Sequence, residues 1–252
     1  MKSAVSLVIP LYNKLHCIKE LAEKIKAMSS KFYEVIVVDD CSTDGSLNVL
    51  REGLAGISNV VLLELSHNVG PFSARITGIQ RSKTEWVQML DADDDLLKSF
   101  SSMIDDLSIE GHISDEIVAI GYKEKIKSIS RVGVYDIPRK GWPNCSNIIV
   151  RKSSCETLSE TRRLMWGEDH VLFCKLFARG KMLYIPGRLA NYRKEFAERS
   201  ATNGSIRNRL KCANDMHRAL KEKTICQAFF VYLFFTPRTI AAFIYKKIVC
   251  AL

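Results

Sequence analysis

Apolar and polar positions alternate in two rhythms over the first hundred residues. Continuous apolar runs occur at Val5–Pro10, Glu34–Asp40, Val60–Leu65 and 85–90. They are rich in β-branched residues and too short for buried helices, so each predicts a strand buried on both faces. Between them, apolar residues recur at helical spacing. Ile18, Leu21, Ile25 and Met28 mark a helix over 16–28, Leu47 and Leu50 a second, and 72–81 a third. Strand alternating with helix predicts parallel pairing, because parallel strands need crossovers and helices supply them. Right-handed crossovers gather the strand C-termini on one edge, where ligands of open α/β sheets bind.

The rhythm loosens after residue 95. Leu96–Leu107 predicts a helix, and 117–121, 132–137, 148–150 and 182–185 predict strands, with a turn over 142–147. Trp166-Gly167-Glu168-Asp169-His170 opens an amphipathic helix carrying Val171, Leu172, Cys174, Leu176 and Phe177. Gly180 ends it at the position where left-handed geometry favours glycine.

Composition narrows the class. With 252 residues, 47% hydrophobic and 26% charged, the chain can bury a full core and is not globally disordered. The net charge of +9 is concentrated at the end, where residues 193–252 hold 12 Lys/Arg against 4 Asp/Glu. Within that tail Ile206, Leu210, Ala213 and Leu220 keep helical spacing among basic residues, and the aromatic-rich stretches 228–235 and 240–245 follow. A basic helix followed by aromatic helices predicts attachment to an anionic membrane surface. The alternative is a helical hairpin packed on the body or in a homo-oligomer. No nucleic-acid motif accompanies the basic patch, so no nucleic-acid partner is expected. No apolar run is long enough to span a bilayer, and the N-terminus lacks a small-residue cleavage site. The expected location is cytoplasmic, peripheral on the inner face of the plasma membrane. Eight cysteines, at 17, 41, 145, 155, 174, 212, 226 and 250, form no CxxC pair and read as core thiols of a reducing compartment.

The candidate chemistry is acidic. Asp91, Asp93, Asp94 and Asp95 follow the fourth strand directly. Oxygen ligands suit Mg²⁺ or Mn²⁺, which commonly also holds substrate phosphate. The alternative is a loop that caps the next helix through Asp94 or Asp95. Pro10–Tyr12 and Asp39/Asp40 should reach the same edge. Neither GxGxxG nor GxxxxGK[ST] occurs, which excludes a dinucleotide fingerprint and a P-loop. Glu168 and Asp169 fall in the first turn of their helix, where acids also complement the helix dipole.

Five stretches together, VSLVIPLYNK (5–14), EVIVVDDCSTDGS (34–46), NVGPFSARITG (68–78), WVQMLDADDD (86–95) and WGED (166–169), resemble family-2 glycosyltransferases of the GT-A fold in order and spacing. The resemblance covers roughly residues 3 to 200. It implies an α/β fold with a mixed sheet flanked by helices. Residues 1–203 would be the catalytic domain, with a nucleotide-binding half (1–107) and an acceptor half (108–203), and 204–252 a helical tail. It also implies a nucleotide-sugar donor, most often a UDP-sugar, with Mn²⁺ or Mg²⁺, and inverting transfer to a glycan or polyprenyl-linked acceptor in envelope polysaccharide synthesis. Pro10, Leu11 and Tyr12 would line the nucleoside pocket with Asn68 nearby, and Asp40 or its neighbour Asp39 would accept from the base. Arg75 would face the nucleotide-sugar, Asp91 and Ala92 would contact ribose or sugar, and Asp93 would bind the metal. Asp169 would be the catalytic base.

The resemblance also leaves departures. Trp166 and Glu168 would meet the acceptor, although Trp166 also fits plain core. Arg199 would close on the diphosphate, or else Arg193 and Arg199 form a solvated basic loop. Relatives often carry a His after the final strand. Here Tyr192-Arg193-Lys194-Glu195-Phe196 has none, leaving water or Glu195 as the third metal ligand. The QxxRW signature of processive synthases is absent, so transfer of a single sugar is expected. The rival readings are a sugar nucleotidyltransferase and a nucleotide-sugar-binding scaffold without turnover.

Overall fold

The computed structural model describes residues 5–97, 117–122, 130–131, 144–156, 158, 168–179, 181–191, 212 and 215. The four expected N-terminal strands are β1 (Val5–Leu11), β2 (Glu34–Asp39), β3 (Val60–Glu64) and β4 (Trp86–Met89). Helices α1 (Ile18–Met28), α2 (Ser46–Gly53) and α3 (Pro71–Arg81) connect them. β1 pairs parallel with both β2 and β4, and β2 pairs parallel with β3. The chain therefore winds outward from β1 to β3, then crosses back to β4 on the other side of β1. The C-terminal ends of β1 and β4 flank this reversal, which opens a crevice there.

β5 (Asp95–Leu96) lies apart from the main sheet. β6 (Ile117–Tyr122), β7 (Ser130–Arg131), β8 (Ile148–Arg151) and β9 (Lys181–Pro186) extend it, and β10 (Ala190–Asn191) pairs with β5. The order is β3-β2-β1-β4-β8-β6-β9-β7. β8 runs antiparallel to both β4 and β6, while β6 and β9 are parallel, so the sheet is mixed. The helix expected from Leu96 does not begin there. Leu96 pairs with Ala190, and the Leu97 amide donates to the Leu189 carbonyl at 2.7 Å. Apolar spacing suits a helix at this point, but a distant strand supplies the competing ladder. Residues 98–107 and the strand expected over 132–137 lie outside the described residues.

Strand periodicity divides the core in two. Leu7, Ile9 and Leu11 face Leu21 and Ile25 of α1 on one side of the sheet. Val8, Ile36 and Val38 face the other side, with Phe72 and Ile79 of α3 and the apolar residues of α4 (Glu168–Arg179). Lys175 of α4 lies 5.0 Å over the Phe72 ring, tying α4 to α3. Cys212 is buried in this second cluster.

α3 approaches the sheet closely at Gly78. A Cβ there would lie 2.5 Å from Val8 Cγ1 and 3.0 Å from Val38 Cγ2. Gly78→Ala should therefore lower unfolding stability by about 1–3 kcal/mol, outweighing alanine's helix preference of about 1 kcal/mol. Urea denaturation measures this, and an unchanged or raised midpoint would contradict the close approach.

Candidate active site

Each carboxylate of the acidic loop has its own partner. Asp91 Oδ1 accepts from Arg75 Nη2 at 2.6 Å, and Asp93 Oδ2 lies 2.5 Å from Lys14 Nζ. Asp95 Oδ1 lies 2.5 Å from Lys24 Nζ, which also donates to the Asp94 carbonyl at 3.4 Å. Asp94 Oδ2 accepts from the Ser146 hydroxyl at 2.6 Å, and Ser146 Oγ accepts from the Asp91 amide at 2.9 Å. Asp94 thus braces the loop internally and caps no helix at Leu96.

Ser146 and Asn147 join the two halves of the molecule. Asn147 Oδ1 accepts from the amides of Leu189 and Ala190 at 2.9 and 3.1 Å, and its Nδ2 donates to the Ala190 carbonyl. Nothing in the local pattern separates these residues from an ordinary polar turn. Lys14 and Lys24 are equally unmarked. Lys14 follows β1, so its arrival at the edge was legible, but its pairing with Asp93 was not.

The two acids after β2 have different surroundings. Asp40 takes the amides of Val69 and Gly70 on its two oxygens, at 2.7 and 2.9 Å. Asn68 Nδ2 donates to the Asp40 carbonyl at 3.1 Å, and Gly70 adopts a positive φ of 89° just before Pro71 starts α3. Asp40 therefore fixes the entry to α3. Asp39 Oδ2 accepts from the Ser42 amide at 3.0 Å, while its Oδ1 is buried with no hydrogen-bond partner among the described residues. Asn68 Oδ1 is in the same condition.

Arg75 projects from α3 into this region and is only 4% exposed. Its Nε and Nη1 are buried without partners among the described residues. Burial opposes its charge, but Asp91, Cys145 and Glu168 overcome that and hold it firmly protonated. Unpaired buried donors are costly and point to a missing acceptor.

α4 brings its acidic end to the same place. Burial raises the pKa of Glu168; Arg75 opposes the rise, while Asp169 and Asp91 add to it. Asp169 Oδ1 accepts from the His170 amide at 2.9 Å and lies 3.7 Å from His170 Nδ1. The buried Cys145 thiol is pushed up by burial, with Arg75 opposing and Asp91, Asp169 and Glu168 reinforcing. Cys212 is pushed up to about 12, chiefly by burial and then by Asp169. Asp91, Arg75, Cys145, Glu168 and Asp169 thus form one electrostatic cluster.

The remaining expected residues divide. Tyr12 is 40% exposed at the crevice and Pro10 is half-buried. Leu11 and Ala92 point into the core, so only their backbones can face a ligand. Trp166 and Arg199, with Arg193 and Glu195, lie outside the described residues.

The family model for glycosyl transferase family 2 matches residues 6–155. The chain belongs to that family. A poly(ribitol-phosphate) beta-glucosyltransferase of Bacillus spizizenii is 38% identical over 93 residues, 36% of this chain and 15% of that protein. An undecaprenyl-phosphate 4-deoxy-4-formamido-L-arabinose transferase of Edwardsiella ictaluri is 42% identical over 93 residues, 35% of this chain and 29% of that protein. The family-2 chain thus matches less than a third of either relative's length.

Among solved structures, S. aureus TarS 1–349 in complex with UDP-GlcNAc gives a TM-score of 0.68 at 20% identity, covering 96% of this chain and 73% of that one. The mannosyltransferase PcManGT of Pyrobaculum calidifontis, in complex with GDP-Man and Mn²⁺, gives 0.53 at 15% identity, covering 100% and 81%. The likeness gives the fold, GT-A, as expected. No helix among the described residues is long and apolar enough to cross a membrane.

The raised pKa of Glu168 has a definite sign. Folding favours its protonated form, so its contribution to stability is full below the ordinary carboxylate range and is lost as pH rises through the folded value. Glu168→Gln should therefore gain thermal stability over the parent protein as pH rises from about 4 to 7, the carboxylate titration range. Calorimetry across that range tests this; a melting-temperature difference that stays constant with pH would contradict it.

Proposed function

We propose that this family-2 protein is an inverting glycosyltransferase. It moves one sugar from a nucleotide-sugar, a UDP-sugar foremost, to a hydroxyl of a glycan or lipid-linked acceptor in envelope polysaccharide synthesis. The observation that carries this reading is the convergence of Arg75, the Asp91–Asp95 loop and the Glu168–Asp169 end of α4 at the crevice between β1 and β4. The names of the Bacillus and Edwardsiella relatives support the acceptor class, and the UDP-GlcNAc complex of TarS supports the donor class. Residues 1–203 are the catalytic domain in this reading. The basic tail, 204–252, holds the protein to the cytoplasmic face of the plasma membrane.

The donor's base meets Tyr12 and the backbone of Pro10 and Leu11, with Asn68 at the pocket rim. Its N–H groups need an acceptor. Asp39 Oδ1 has one open, whereas Asp40 can serve only by releasing an amide. The open N–H groups of Arg75 bind the nucleotide-sugar, and Asp91 with the Ala92 backbone meets ribose or sugar. Trp166 and Glu168 receive the acceptor, and Arg199 closes on the diphosphate.

A divalent ion fits these residues in one way. Among the described residues no three His, Cys, Asp or Glu side chains are grouped to hold one. Asp93 therefore suits an Mg²⁺ or Mn²⁺ ion held weakly by the protein alone and firmly once the diphosphate is bound, since such ions need few protein carboxylates when phosphates complete the shell. When bound it would neutralise charge gathering on the leaving group.

Asp169 acts on the acceptor. Its contacts among the described residues run through Oδ1, to His170. As the acceptor oxygen bonds to the anomeric carbon, its proton passes to Asp169, the carbon–phosphate oxygen bond breaks and the nucleoside diphosphate leaves. One displacement inverts the anomeric centre. An uncharged hydroxyl is a weak nucleophile, and a positioned base contributes about 10²–10⁴-fold.

Purified protein incubated with UDP-, GDP- and dTDP-sugars and Mn²⁺, with and without membrane lipid extract, tests the reading through released nucleotide. We expect lipid-stimulated release from one donor, lost in Asp93→Ala. Metal-dependent nucleotide binding without release from any donor would favour the scaffold reading, and no binding at all would defeat both.

A further inference from the structure

Lys14 reaches across the crevice from the loop after β1 to the loop after β4. Its Nζ lies 2.5 Å from Asp93 Oδ2, with the two side chains 24% and 19% exposed. The contact occupies an oxygen of the carboxylate best suited to a divalent ion. Resting on the glycosyltransferase reading, we propose that Lys14 is an exchangeable counter-cation. Its ammonium covers Asp93 in the donor-free protein and passes to the donor's diphosphate when Asp93 is given over to a divalent ion.

Charge balance argues for the exchange. In the donor-free protein Arg75 pairs with Asp91 and Lys14 with Asp93, while Lys24 is shared between Asp95 and Glu20. A nucleotide-sugar brings two ionised phosphates, and a divalent ion brings a matching double positive charge. Asp93 then keeps one negative charge in excess unless Lys14 stays within the site. Lysine suits this role because its ammonium is a compact charge on a flexible stem, able to swing between carboxylate and phosphate without a fixed fork.

The strength of the pair also suits exchange. A partly exposed ion pair contributes little, so a stronger ligand set can displace it. It is still enough to oppose ion binding at a single carboxylate, and among the described residues no further ligand cluster offsets that competition. An independent feature marks the pocket as waiting for a ligand. Arg75, 4% exposed and bonded to Asp91 in the same loop, holds two buried N–H-bearing atoms without partners among the described residues.

The proposal gives one substitution two effects of opposite sign. Lys14→Met keeps the stem and removes the charge. Without nucleotide, Mn²⁺ should bind the variant about threefold more tightly than the parent protein, the range expected for losing a partly exposed ion pair. UDP, titrated by calorimetry in saturating Mn²⁺, should bind the variant about three- to tenfold more weakly, since a cation on phosphate is lost. Electron paramagnetic resonance of free Mn²⁺ reads the first effect. Unchanged affinities for both, or a loss of both together, would overturn the proposal. So would full Mn²⁺ binding by Asp93→Asn. If the parent protein binds no UDP, with or without Mn²⁺, the glycosyltransferase reading itself fails. If it binds UDP normally and Lys14→Met matches it in both titrations, only the role of Lys14 fails.

Discussion

Four carboxylates within five residues would repel one another at the mouth of a sheet unless each were compensated separately. That constraint organises the site. The compensating groups come from four places: the loop after β1, helix α1, helix α3 and the short turn before β8. Each partner therefore fixes the acidic loop and also ties one more element to it. The loop is held by a partly exposed ion pair on the outer side, at Lys14, and by buried bonds on the inner side, at Ser146 and Arg75.

The two halves of the molecule meet through the same loop. β8 runs against β4 and β6, so the turn at Cys145–Asn147 is delivered beside the C-terminal edge of the parallel half. Ser146 then holds Asp91 and Asp94, and Asn147 holds the chain leading into β10, which pairs with β5 just after the acids. α4 lies between β8 and β9 in the chain and, packed on α3, sets Glu168 near Arg75. The apolar faces of α3 and α4 thus rest in one core cluster. Cys212, from the basic C-terminal stretch, is buried in that core near the acidic end of α4.

What was legible in the sequence follows from periodicity. β1 to β4 and α1 to α3 declare themselves, because Leu7, Ile9 and Leu11 alternate with Val8 and the helices carry apolar residues at helical spacing. Motif order then singled out Arg75, the acidic loop and Asp169, which the fold brings to one place. The short β5 was hidden, because two residues carry no period and their partner lies nearly a hundred residues away. The orientation of β8 was hidden too, since Ile148–Val150 would read the same in either direction. The different duties of Asp39 and Asp40 depend on which carboxylate faces the amides of Val69 and Gly70, and adjacent identical residues give no signal of that. The pairing of Lys14 with Asp93 joins two loops that meet only because β1 and β4 are neighbours.

The central claim is that α4 supplies the base to a donor site built by the acidic loop and Arg75. Asp169→Asn tests it most directly when donor affinity and transfer rate are measured on one preparation. Amide for carboxylate preserves shape and removes proton acceptance. The account predicts donor affinity within about twofold of the parent protein and a transfer rate lower by about 10²–10⁴-fold. A variant that transfers sugar at the parent rate would contradict it.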